Sequence, residues 1–164
     1  MTITEPLPPT WPVYASDYVI PRWCSEAMEA VIAHYADIEV PLPERRYWTI
    51  GQTAHDCEQV VLCVQQMFLG TADNPMETTQ CNGPRSLTFT LEVVRCVPTL
   101  DNRGRPPAGS AIEVASVDPV VDMEILMDCA KFFDPFLAGV VVTVNVIPAD
   151  GGMHGAIGTY TVTL

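Results

Sequence analysis

The sequence predicts an α+β fold: an antiparallel or mixed β-sheet built from two hairpins, with one face covered by two helices. Three observations predict it. Between Asp56 and Cys96 two arms, DCEQVVLCVQQMF and RSLTFTLEVVRC, alternate apolar and polar residues with period two, the mark of strands buried on one face. A second pair of alternating arms runs from Val140 to Leu164 around Pro148-Ala-Asp-Gly-Gly. Two other stretches, 17–35 and 118–133, repeat apolar residues at three- and four-residue spacing, which is helical. The order is then α, β, β, β, α, β, β, with the helices gathered over one sheet.

Residues 1–16 hold Pro6, Pro8, Pro9 and Pro12 and read as an extended arm ahead of a single domain over 17–164. Trp11 and Tyr14 lie in that arm. Large aromatic side chains are costly to leave in water, so the arm is a candidate docking strap. In the first helix, Asp17 to Tyr35, Pro21 suits a first-turn position. Trp23, Ala27, Ala30, Val31 and His34 make its inner side, widened by Met28, Ile32 and Tyr35, while Glu26 and Glu29 face water. Val40-Pro-Leu-Pro ends it, and residues 45–50, RRYWTI, form a short strand beside the hairpin.

Within that hairpin Val60, Leu62, Val64 and Phe68 share one face, opposite Gln59, Gln65 and Met67. On the second arm Leu87, Phe89, Leu91 and Val93 alternate with Ser86, Thr88, Thr90 and Glu92. The connecting loop, Leu69 to Pro84, is longer than a hairpin needs, and such loops are often functional. Asp73, Asn74 and Glu77 at its tip are therefore candidate partner contacts, as are Arg103 and Arg105 in the loop Thr99 to Gly109. Asp118-Pro119 is a cap-and-first-turn pair for a helix with the stripe Val121, Ile125, Leu126, Cys129, Phe132 and Phe133; a turn of helix around 111–115 can precede it. In the last hairpin Val140, Val142, Val144 and Val146 oppose Thr143 and Asn145, and Gly158, Tyr160, Val162 and Leu164 alternate with Thr159, Thr161 and Thr163. Both hairpins thus carry a Thr-rich polar face.

Twenty acidic against eight basic residues, a net charge of −12, leaves no basic stripe with which to grip phosphates. The simplest use of this charge is solubility; an acidic wall would also let nucleic acid slide past without sticking. No apolar run approaches the ~20 residues that span a bilayer, and the N-terminus lacks the basic and apolar regions of a secretory signal, so a cytosolic setting is expected. Six cysteines (24, 57, 63, 81, 96 and 129) include no C-x-x-C pair. Pairing Phe68 with Arg85 sets Cys57 opposite Cys96 on the polar face. A reducing cytosol argues against a disulfide there, and free thiols are the expectation.

Nucleophile-elbow, P-loop, dinucleotide and zincin motifs are all missing. His55-Asp56-Cys57 offers a base, an acid and a thiol, but on a strand Asp56 points away from the other two, and an acidic chain disfavours a thiolate. Zinc on His55, Cys57, Cys81 and Cys96 would require the long loop to double back over the hairpin. The expectation is a protein that is not an enzyme, with no catalytic residue, metal or cofactor.

A broader pattern is shared by W-T-I-G-x-x-A-x-D-C-E-Q (Trp48 to Gln59), Cys81-x-G-P-R, V-R-C-V-P (Val94 to Pro98), L-M-D (Leu126 to Asp128) and the closing G-G-x-x-G-x-x-x-T (Gly151 to Thr159). From about Tyr18 onward the chain resembles the neck and tail-completion proteins of long-tailed actinobacterial phages, in particular the tail terminators. The resemblance implies a mixed sheet flanked by helices and a structural virion protein in the tail or neck, assembled in the host cytoplasm. It implies self-association into a ring, usually of six, that caps the tail tube. The partners implied are the major tail tube protein and the head–tail connector or stopper protein, with genomic DNA passing through the lumen unbound. Another small neck protein and a monomeric α+β ligand-binding domain are the alternative readings.

Overall fold

The computed structural model describes residues 19–71, 84–101, 103–133, 140–150 and 152–163. The elements are α1 (Val19–Asp37), β1 (Arg45–Ile50), β2 (Gln59–Leu69), β3 (Arg85–Cys96), α2 (Gly109–Phe133), β4 (Val141–Asp150) and β5 (Met153–Thr163). They build an α+β fold with one five-stranded mixed sheet, ordered β1-β2-β3-β5-β4, and two helices on one face. β1 is parallel to β2 and every other pair is antiparallel. Both expected hairpins form, and β3 and β5 join them along the middle of the sheet.

The first hairpin departs from the expected alternation at one point. Gln59 to Val64 pair with Val94 to Phe89, and the register then shifts by one between Val64 and Gln66. An extra residue exchanges the faces of everything beyond it. Met67 therefore lies opposite Leu87, on the helix side, and Phe68 lies opposite Ser86, on the other. This reverses the assignment of these two residues drawn from simple alternation.

The core between sheet and helices holds Val60, Leu62, Leu87, Phe89, Leu91 and Val93, closed by Tyr160 and Val162 from β5. Phe89 stacks on Tyr160 at 5.1 Å and meets Trp23 and Phe133 edge-on, the geometry aromatic quadrupoles favour. Gly158 makes room for this: a Cβ there would stand 2.4 Å from the Tyr160 hydroxyl. That hydroxyl donates to the Leu126 carbonyl of α2 at 2.5 Å, tying helix to sheet.

Both helices differ in detail from expectation. α1 buries Cys24, Ala27, Met28, Val31 and Tyr35, so its inner stripe is rotated from the expected Trp23–Ala30–His34 line toward Tyr35. α2 does not begin at Asp118-Pro119. It runs unbroken from Gly109, with Pro119 inside and buried. Proline's φ suits a helix, and what it removes is one backbone hydrogen bond; the turns before it, from Gly109, continue through it. Residues 109–118 are exposed apart from half-buried Ala115.

Candidate interaction surface

A buried ionic centre fixes how the helices sit on the sheet. Arg95 lies on the helix side of β3, and its Nε and Nη2 donate to the two carboxylate oxygens of Asp122 on α2 at 2.7 and 2.9 Å. The Tyr35 hydroxyl of α1 donates to the same carboxylate at 3.0 Å, and Arg95 Nη2 also reaches the Pro41 carbonyl at 2.9 Å. The hydrogen bond to Asp122 raises the Arg95 pKa above its ordinary value. Burial first, then the Asp122 charge, pushes the Tyr35 hydroxyl far above its own. His154, opposite Arg95 on β5, is buried with its Nε2 unpaired among the described residues. Desolvation lowers its pKa. The sequence reading missed this centre, although a signal existed. Arg95 shares the inward parity of Leu91 and Val93, and Asp122 stands three and four residues before Ile125 and Leu126, so opposite charges occupy two inward positions.

The other face of the sheet is not uniformly free. Parallel β1 and β2 require the chain to travel back along the sheet, and residues 51–58 do so over that face. Gly51 starts the return with φ +81° and its N–H on the Val64 carbonyl at 2.8 Å. Tyr47 bonds Thr53 at 3.0 Å, Gln59 donates to the Ala54 carbonyl at 3.1 Å, and His55 Nε2 meets Glu92 at 3.0 Å. Gln59, Val61, Cys63, Glu92 and Val94 are buried there. At the end of the return Cys57 is disulfide-bonded to Cys96, with Cα atoms 4.8 Å apart. The cross-strand pairing was anticipated; the expectation that both thiols stay free is corrected. A non-glycine residue in the left-handed region, Glu58 at φ 58°, sits beside this bond and accepts the Cys96 N–H at 3.1 Å. His55, Asp56 and Cys57 are thus in the return segment, not on a strand, and each is engaged separately: with Glu92, with Arg45 at 2.7 Å and with Cys96. The polar face of the first hairpin is therefore occupied at this end by the chain itself.

Toward the opposite end the same face continues as a threonine array. Thr88 meets Thr161 at 3.1 Å and Ser86 meets Thr163 at 3.3 Å. Thr159 lies across from Thr143, and Asn145 across from Ile157. Thr88, Thr159 and Thr161 are half-buried, and Thr143 and Asn145 are exposed. None of these residues is charged, in a chain with a net charge of −12. A second accessible apolar feature is the projecting half of α2, where Val114 is 71% exposed beside Ile112 and Val117.

Of the residues singled out in the sequence, Asp73, Asn74, Glu77, Trp11 and Tyr14 lie outside the described residues. Arg103 and Arg105 flank a tight turn. The Asp101 carboxylate accepts their backbone N–H groups at 2.8 and 2.9 Å and the Arg105 Nε at 2.8 Å. These bonds, the Arg105 N–H first, lower the Asp101 pKa. Arg105 is thereby committed to its own loop, while no hydrogen bond or ion pair engages the Arg103 side chain among the described residues. Burial pushes the thiols of Cys24 and Cys129 up to about 12 and that of Cys63 to about 11, so these three are protonated near neutrality. Among the described residues no three His, Cys, Asp or Glu side chains converge as metal ligands.

No protein-family model matches the chain, and no curated protein matches it either. Among the described residues no helix is long and apolar enough to cross a membrane.

Proposed function

We propose that this chain is a structural subunit of a phage tail's terminator ring, closing the tube and presenting a surface to the head connector. The observation that carries the reading is the uncharged threonine face of β3, β5 and β4. Interface centres are depleted in charged groups, and a face free of charge on so acidic a chain fits a surface reserved for another subunit. The projecting apolar half of α2 supplies a second, unlike surface. Two unlike surfaces on one subunit suit head-to-tail contacts, which close into rings when the rotation permits. The excess of acid would then line a lumen through which DNA passes without adhering. The motif resemblance is the ground for naming the ring, and the uncharged face and the exposed half of α2 are the surfaces that support this reading.

The test is sizing with light scattering, alone and with tube protein added. The expected product has about six times the 17.9 kDa subunit mass. Thr143→Lys combined with Thr159→Lys should leave a folded monomer, because two ammonium groups would then have to lose their water against the apolar half of the next subunit's α2. A wild-type chain that stays monomeric in both conditions, or a charged variant that assembles normally, would refute the proposal.

A further inference from the structure

We propose that an apolar groove at the start of α1 is the seat of this chain's own N-terminal segment, residues 1–18. The groove has a volume of about 540 Å³ and is formed by Val19 and Ile20 of α1, Trp48 and Ile50 of β1 and Met67 of β2, with Arg85 at its rim. Its walls are unusual for a surface: Ile50 is 77% and Met67 54% exposed. Met67 is on this side only because of the register shift after Val64. Large apolar groups clustered at a surface mark a place where something binds.

Three observations select the occupant. Val19, which lines the groove, is the residue to which the segment is joined, so the tether holds the segment at high local concentration. Trp11 stands eight residues before Val19 and can lie up to ~28 Å away at the extended rise of ~3.5 Å per residue, enough to double back along the groove. The composition matches as well. The segment carries Leu7, Trp11, Val13 and Tyr14 among four prolines, and proline restricts the free chain so that less entropy is lost on docking. Charge gives the third match. Residues 1–18 contain Glu5 and Asp17 and no Lys or Arg, while the Arg85 side chain, on a residue paired through its backbone with Leu69, has no hydrogen-bond or ion-pair partner among the described residues.

The experiment replaces Trp11 with the photocrosslinker p-benzoylphenylalanine in the full chain and maps adducts by mass spectrometry in a mixture of light and isotope-heavy protein. Adducts are expected on Met67, Ile50 or Trp48, joining light to light and heavy to heavy. Ile50→Glu should remove them, with near-ultraviolet circular dichroism confirming the fold, and Arg85→Glu should weaken them independently. Adducts outside the groove, or none, would overturn the proposal. So would light-to-heavy adducts, which would assign the groove to a neighbouring copy's arm. None of these readouts depends on whether the protein forms a ring.

Discussion

Removing the Asp122 carboxylate tests the account of what docks both helices on the sheet. Its side chain is fully buried, Arg95 is 10% exposed, and three hydrogen bonds of 2.7–3.0 Å converge on the carboxylate. In Asp122→Ala the guanidinium keeps, among the described residues, only the Pro41 carbonyl as a hydrogen-bond partner and only the more distant Asp118 carboxylate as a counter-charge. Breaking one side of a buried pair costs about 3–5 kcal/mol. At about 3 °C per kcal/mol for a chain this size, that is a fall of roughly 9–15 °C in Tm. Urea unfolding under oxidising conditions, with the disulfide intact, gives the free energy directly. The double variant Asp122→Leu with Arg95→Met should recover most of the loss, because a buried ion pair often does no better than well-packed apolar residues of similar volume. A single variant that loses less than ~1 kcal/mol, far below that range, would show that Arg95 reaches water. A double variant no better than the single one would show that the pair specifies the packing beyond its charge balance.

Replacing Cys57 and Cys96 with Ser should lower stability by about 4 kcal/mol, the loop-closure value for their separation of 39 residues, and speed alkylation of buried Cys63; unchanged unfolding and labelling would contradict the latch between return segment and β3. His154 predicts a pH effect. Its folded pKa lies below the ordinary 6.5, so the unfolded chain binds the proton more readily. Stability should be complete above pH 6.5 and fall as the pH drops below it toward the folded pKa. His154→Gln should flatten that part of the pH–stability curve, and an unaltered slope would assign the acid sensitivity to other groups.

The elements themselves were legible because their signals are local. Alternation marked β2 to β5, and helical spacing marked α1 and the second half of α2. Departures arose where a local signal is satisfied in more than one way. Asp118-Pro119 reads as a helix start, yet the same φ that suits a first turn also fits an interior one, and only the turns before it settle which. The face exchange at Met67 and Phe68 follows from one unpaired residue, which leaves composition and period unchanged on either side. The free-thiol expectation rested on compartment, whereas the pairing of Cys57 with Cys96 is a matter of register and of how the return segment lies.

The polar face of the first hairpin shows the same division most clearly. Period two establishes which residues share a side of each strand, because side chains alternate whatever the strands pair with, although on β2 the side of Gln59 and Gln65 also carries Val61 and Cys63. It carries no information about what covers that side. A parallel β1–β2 pair forces the chain to run back along the sheet, and this return places residues 51–58 over Gln59, Val61 and Glu92 while leaving the threonine end accessible. Strand identity is written in neighbours along the chain. Which half of a strand's polar face stays available to a partner depends on contacts between residues far apart in it.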